Sequence, residues 1–207
     1  DAQTAVVSGP NLALEIVRGI PTAAVVASKN QALAERVRDA LMCKSYRVYT
    51  SDDVDGVEIA GALKNVLAIG AGLSDGLGFG DNTKGALLAR GLHEMTTLGM
   101  RLGGRVETFM GIAGVGDLFA TAASRLSRNY RIGRLVGEGS TVHEALEAIG
   151  QVAEGIDTAE AALRLARQNQ VSTPIIESVD NVLRGRISAR EAVTSLMERT
   201  PRAECGQ

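Results

Sequence analysis

Asp53 to Leu73 reads DVDGVEIAGALKNVLAIGAGL, a long and mostly apolar run with one lysine inside it. Val54, Val57, Ile59, Leu63, Val66, Leu67, Ile69 and Leu73 fall on more than one face of a helix, and a helix apolar on most sides is normally buried. Lys64 and Asn65 sit near its middle, where long polar side chains are costly without partners. The helical neighbours of Lys64 are Ala60, Gly61, Leu67 and Ala68. None is acidic, so a salt bridge within the helix does not account for the lysine. The small neighbours leave room beside it for a ligand or another segment. The plainer alternative is a lysine whose stem crosses the core while its head reaches water.

Outward from this stretch, the 207-residue chain is 45% hydrophobic and 22% charged with a net charge of −2, an ordinary globular profile. There is no basic excess to suggest nucleic acid, and with 3% aromatics and no Trp there is little to stack bases on. Cys43 and Cys205 form no metal spacing or disulfide framework, which points to a reducing cytoplasm. Glu58, Lys64, Asn65 and several glycines interrupt the central run and argue against membrane insertion. The chain opens on Asp1 and enters a strand almost at once, as a piece of a longer protein would.

Upstream of the run the pattern alternates. Strands are expected at 4–8, 22–27 and 46–50. Between them, helices are expected at 11–18, with Leu12, Ile16 and Ala13 inward, and up to about Met42. The second helix is capped by Ser28 or Asn30, has Leu33, Val37 and Leu41 on one side, and is followed by Cys43 in the same apolar pattern. Strands alternating with helices indicate α/β organisation, but three strands leave an edge to be covered. From Ser51 onward everything reads as helix or loop. Ser51 or Asp52 is the expected cap of the central helix and Asp81 of the next, which runs to about Leu102. Residues 105–116 read as irregular. Shorter helices follow from about Asp117, Ser127, Thr141, Asp157, Thr173-Pro174 and Ser188, with a frayed tail after Pro201. The expected fold is therefore mainly α. Residues 1–51 are a remnant of an α/β domain, and residues 52–207 form an all-helical one.

Three groups of residues could carry chemistry. Gly76 to Gly80 (GLGFG) follows a helix, whereas a dinucleotide fingerprint follows a strand and opens a helix, so its expected role is to turn the chain. Asp117 and Thr121 share a helix face and can both reach a polyol hydroxyl. Ser127, Arg128 and Asn129 open a helix whose free amides and dipole suit an anion, with arginine forking onto phosphate oxygens. The alternative is a serine cap with solvated arginines. Arg125, Arg128, Arg131 and Arg134 recur every third residue, a row that repels itself unless something anionic is near. His93, His143 and Glu154 read individually as structural or surface groups.

The segments GVEIAGALKNVLAIGAGLSDGLGFGDNTKGAL, TFMGIAGVGDL, SRNYRIG and VAEG occur in this order. They resemble the bacterial-type NAD(P)-dependent sn-glycerol-3-phosphate dehydrogenase family, and SGPNLALEI resembles the end of that family's nucleotide-binding domain. The resemblance runs from about residue 5 to residue 197. It implies an all-helical substrate domain preceded by the last α/β elements of a Rossmann-type domain, with the glycine fingerprint and a second family lysine upstream of Asp1. It also implies that Lys64 is the catalytic acid/base at C2 of glycerol 3-phosphate or dihydroxyacetone phosphate.

By the same resemblance, Gly9, Asn11, Asp117, Thr121, Ser127, Arg128 and Asn129 contact substrate together with Lys64. Ala13, Arg128, Val152 and Glu154 contact the cofactor, NAD or NADP, and no metal is implied. Asn11 stands where relatives carry Ser or Thr. A lysine removed from water gives up its proton more readily, which suits a group that must accept one near neutral pH. The implied setting is cytoplasmic, with sn-glycerol 3-phosphate and dihydroxyacetone phosphate as partners, no nucleic acid, no membrane insertion and a possible homodimer. This chain alone is expected to be inactive or nearly so. The alternatives are a related dehydrogenase acting on another hydroxy acid or polyol phosphate, and a non-catalytic helical interaction module.

Overall fold

The computed structural model describes residues 4–201 and residue 203. Cys205 lies outside the described residues, as does most of the tail beyond Pro201. The fold is mainly α, a helical body preceded by a small sheet with its helices. Strands β1 (Val6–Ser8), β2 (Thr22–Ala27) and β3 (Tyr46–Ser51) pair in the order β1-β2-β3. β2 and β3 are parallel, joined by the crossover helix α2 (Gln31–Leu41), and β1 runs antiparallel with Val6 opposite Ala27. Val26, Val48 and Ala34 form the small core between them.

Local chemistry explains the departures from the expected pattern. The first strand is two residues shorter than expected. α1 (Ala13–Val17) has no fully buried residue, but Leu12 and Ile16 of its expected inner face are half-buried while Leu14 and Val17 are exposed, and only Ala13 departs from that face. Asn30, not Ser28, caps α2 by accepting from Leu33 N–H at 3.2 Å, while the Ser28 hydroxyl donates to the Thr4 carbonyl at 2.8 Å. Leu41 is exposed. Cys43 is exposed too, a free thiol beyond the end of α2 rather than inside a helix.

Among the described residues no strand follows Ser51. The central helix α3 (Val54–Gly76) is capped by Asp53, not by Ser51 or Asp52. Buried Asp53 accepts from the Gly56 N–H at 3.0 Å, the Arg105 N–H at 2.9 Å and the Thr108 hydroxyl at 2.5 Å. Burial raises its carboxyl, but these donors outweigh that and hold it below the usual range. A cap used by both a helix start and a loop fifty residues on is invisible to local pattern.

α3 is long and apolar enough to cross a membrane, with mean hydropathy 1.3, yet 72% of that window is buried inside the body. α4 (Asp81–Arg101), α6 (Asp117–Ala123), α7 (Arg128–Gly137) and α9 (Gly155–Gln168) all pack on it. Against α7 the contact is backbone on backbone. A Cβ on Gly133 would lie 2.0 Å from the Ile69 carbonyl oxygen, and one on Gly72 would lie 2.1 Å from that of Tyr130.

The stretch expected to be irregular is ordered. It forms α5 (Val106–Phe109) and a π-helical turn at Ile112–Gly116 that runs straight into α6. Its glycines make room rather than break helices. Phe109 is fully buried against Gly99, and a Cβ on Gly114 would meet the Phe109 carbonyl at 2.1 Å. Two caps also differ from expectation. Gly80 precedes α4, which places Asp81 inside the first turn, where a carboxylate favours the dipole. α9 starts at Gly155, two residues before Asp157. The remaining helices, α8 (Val142–Ile149), α10 (Pro174–Leu183) and α11 (Ala189–Met197), begin where expected, with capping boxes at Thr141 and Ser188.

Glu94 on α4 is 4% exposed and accepts from the Ile175 N–H at 2.8 Å and the Ile176 N–H at 3.1 Å, tying α4 to the start of α10. Burial pushes its carboxyl up to about 7, and the two amides with Arg199 and Arg90 pull it down without cancelling that. A carboxyl that holds its proton in the fold and loses it in the unfolded chain makes stability fall as pH rises from 4.5 to about 7. Thermal melts across that window should show the fall, and Glu94→Gln should flatten it. Parallel curves for the two proteins would refute this.

Candidate functional site

A cleft of about 870 Å³ separates the β1–α1 end of the sheet from the helical body. Lys64 lies on its floor, at the middle of α3. The side chain is 18% exposed and bonds directly to the Asp117 carboxylate, itself 3% exposed. The acidic partner absent from the helix thus comes from the first residue of α6, aimed by the π-helical turn before it. The Thr121 hydroxyl donates to the other Asp117 oxygen at 3.2 Å, and the Gly9 N–H also reaches this carboxylate. Burial pushes Asp117 upward. The Lys64 ammonium, the Thr121 hydroxyl and the Gly9 amide oppose this without cancelling it.

Gly9 joins the sheet side to the pair because it takes a φ of +136°, which side chains disfavour, and a Cβ there would press to 3.1 Å on the Ala23 carbonyl. The small neighbours of Lys64 divide between core and cleft. Ala60 and Ala68 are fully buried, and only Gly61 lines the cleft, where a Cβ would lie 3.1 Å from the Ser8 hydroxyl.

The opposite wall is the start of α7. Buried Ser127 caps the helix by accepting from the Tyr130 N–H at 3.2 Å. Asn129 Oδ1 accepts from the Gly155 N–H at 3.0 Å, fixing the start of α9 beside it. Arg128 projects into the cleft, 44% exposed and 3.7 Å from Glu154. The first-turn amides of a helix lack carbonyl partners within it, so this turn keeps the anion-binding character read from sequence. The arginine row is only partly compensated. Arg134 pairs with Glu138 at 2.8 Å outside the cleft, whereas Arg125 and Arg131 line it.

Of the residues singled out from sequence, Gly9, Asn11, Ala13, Lys64, Asp117, Thr121, Ser127, Arg128, Asn129 and Glu154 all line the cleft. Asn11 does so with its carbonyl oxygen already held by the Tyr46 hydroxyl at 2.7 Å. Val152 is 69% exposed and outside the lining, as are residues 76–80 and both histidines. Asn65, to which the sequence assigned no role, also lines the cleft. It is 7% exposed, donates to the Gly61 carbonyl at 3.3 Å and reaches Glu154 at 3.5 Å. Its position next to Lys64 in an apolar helix was the available signal. Chemically, the arrangement joins a buried amine–carboxylate pair to an anion-binding turn across one small space.

Family models match both parts of the chain. One described as the NAD-dependent glycerol-3-phosphate dehydrogenase C-terminus matches residues 53–194, and the corresponding N-terminus matches residues 1–34. The chain is 51% identical over 199 residues to glycerol-3-phosphate dehydrogenase, NAD(P)+, of Thermoanaerobacter sp. (strain X514), covering 96% of this chain and 60% of that protein. It is 52% identical over 194 residues to the protein of the same name in Pelotomaculum thermopropionicum, covering 94% and 56%. The crystal structure of glycerol-3-phosphate dehydrogenase from Coxiella burnetii superposes with a TM-score of 0.93 at 41% identity, over 96% of this chain and 61% of that one. The chain thus spans about 60% of the length of the curated relatives it matches.

Proposed function

The chain belongs to the NAD-dependent glycerol-3-phosphate dehydrogenase family, and on that premise we propose that its cleft interconverts sn-glycerol 3-phosphate and dihydroxyacetone phosphate. The observation that carries the proposal is the buried Lys64–Asp117 pair facing the Ser127–Asn129 turn across the cleft. The turn holds the phosphate, with Arg128 bonding its oxygens and the free amides of α7 adding their dipoles. The other end of a three-carbon chain then reaches Lys64.

In reduction, the C2 carbonyl gains a hydride at carbon while the Lys64 ammonium gives a proton to oxygen. In oxidation, neutral Lys64 takes the hydroxyl proton as C2 loses the hydride. Asp117 holds the lysine in place, and its charge offsets the ammonium. The bound cofactor, NAD or NADP, supplies or receives the hydride. The cleft suits one end of such a cofactor. Gly9, Ala13, Arg128 and Glu154 would hold it, the first two by letting backbone come close, Arg128 as a cation for its oxygens and Glu154 as an acceptor for an amide. Residues 1–51 would then be the end of a cofactor-binding domain and residues 52–207 the substrate domain. Because these residues grip only one end of a dinucleotide, we place little turnover in this chain by itself. An exposed free thiol at Cys43 fits a reducing, cytoplasmic setting.

The test is to complete the chain with the N-terminal part of the Thermoanaerobacter relative and follow oxidation of NADH and NADPH. Oxidation that depends on dihydroxyacetone phosphate is expected. Oxidation driven only by an unphosphorylated hydroxy-acid precursor would move the chain to a related dehydrogenase activity.

A further inference from the structure

A phosphomonoester carries close to two negative charges above its second pKa, which lies near 6. The charges facing the cleft are mostly spoken for. Lys64 is neutralised by Asp117, and Arg128 faces Glu154 at 3.7 Å, so neither offers a full unit of charge. Arg125 also lines the cleft without a carboxylate partner among the described residues, but it lies before α7, off the helix face that carries Arg128. Glu58 on the α3 wall adds negative charge to the cleft. Arg131 differs from all of these. It stands three residues after Arg128, on the same face of α7, lines the cleft, and has no carboxylate partner among the described residues.

We propose that Arg131 supplies the second positive charge for a phosphate dianion at the α7 turn, and so sets the preference for a dianionic substrate over a monoanionic one. This rests on the reading that the cleft binds glycerol 3-phosphate. It assigns Arg131 a contact with the phosphate and no part in the proton transfer. The neighbouring arginines explain why one fork is not enough. Arg128 shares its charge with Glu154, and Arg134, one turn beyond Arg131, is committed to Glu138. Arg131 adds, on α7 itself and on the face that carries Arg128, a guanidinium with no carboxylate partner among the described residues.

The test is titration of this chain with sn-glycerol 3-phosphate, followed by phosphorus NMR. It compares the parent protein with Arg131→Gln, Arg131→Lys and the charge control Arg134→Gln. At about pH 5 the ligand is mainly a monoanion, and Arg131→Gln should weaken binding only about twofold. At about pH 7.5 the loss should grow to roughly tenfold, the scale of one charge-assisted bond. Arg131→Lys, which keeps the positive charge, should show little of that pH-dependent loss, and Arg134→Gln should track the parent. Glycerate, a monoanion at both pH values and followed by its own proton signals, should show only the small loss. Titration of Asp117 is common to all four proteins and cancels in the ratios. A ratio that does not change with pH, or an equal loss in Arg134→Gln, overturns the assignment to Arg131 alone. No binding of glycerol 3-phosphate by the parent protein overturns the phosphate reading itself, and the assignment with it.

Discussion

Lys64→Gln in the completed enzyme is expected to lower kcat for dihydroxyacetone phosphate about a thousandfold, within the range that a positioned general acid/base contributes. The Michaelis constant should change far less, because the proposed phosphate site, Arg128 and the α7 turn, lies on the other wall. Glutamine keeps a donor for Asp117 but has no proton to exchange at the working pH. Alanine would do more. It would strand the Asp117 carboxylate, whose side chain is 3% exposed, without its cation. Breaking a buried pair from one side typically destabilises by about 3 kcal/mol or more. A melt of Lys64→Ala should therefore show a larger loss of stability than Lys64→Gln, which also removes the cation but keeps a donor to the carboxylate. Steady-state rates and melts on the two variants separate chemistry from folding. A glutamine variant within tenfold of the parent rate would show that another group moves the proton.

The second large effect is structural and reaches the site indirectly. Gly133→Ala should destabilise the chain by about 3 kcal/mol, the upper part of the range for overpacking. Its Cβ would sit 2.0 Å from the Ile69 carbonyl oxygen, and the obstacle is backbone that cannot rotate away. α7 would have to lift from α3 and carry the Ser127–Asn129 turn with it. For a chain of this size the melting temperature should fall by roughly 6–12 °C. Gly85→Ala on α4 is the contrast, since nothing lies within 4 Å of its added Cβ. There alanine should be neutral or stabilise by up to about 1 kcal/mol, through helix propensity alone. A Gly133→Ala protein that melts within a degree or two of the parent would show that the α3–α7 seam is loose.

Both effects depend on features of different legibility. The chemistry of the central run was readable because a lysine in a helix apolar on most sides is expensive, and expense marks a site. The helix starts at Ser127, Thr141 and Ser188 were readable because caps act within one turn. Asp117 was noticed from its glycine-rich surroundings, but its pairing with Lys64 spans 53 residues and has no local signature. The same limit hid Asp53 as the cap of α3, since its other donors, the Arg105 amide and the Thr108 hydroxyl, come from a distant loop.

Residues 105–116 were misread for another reason. Glycine ordinarily signals a break, but Gly114 is needed because the Phe109 carbonyl occupies the space of its Cβ. Asn65 was visible as a polar residue in the wrong place. Only the fold shows that Gly61, Glu154 and the cleft surround it. The inward face expected for the helix at 11–18 was legible in its periodicity, since Leu12 and Ile16 are half-buried and only Ala13 departs from it. Leu14 and Val17 are apolar and exposed.

The most direct test of the account is a crystal structure of this chain with sn-glycerol 3-phosphate. The phosphate should lie at the Ser127–Asn129 turn within reach of Arg128. The C2 oxygen should lie within about 3.2 Å of Lys64 Nζ, hydrogen-bond distance for a proton in transfer. A phosphate seated on Lys64, with the C2 oxygen turned toward α7, would contradict the assignment of that lysine as the acid/base group.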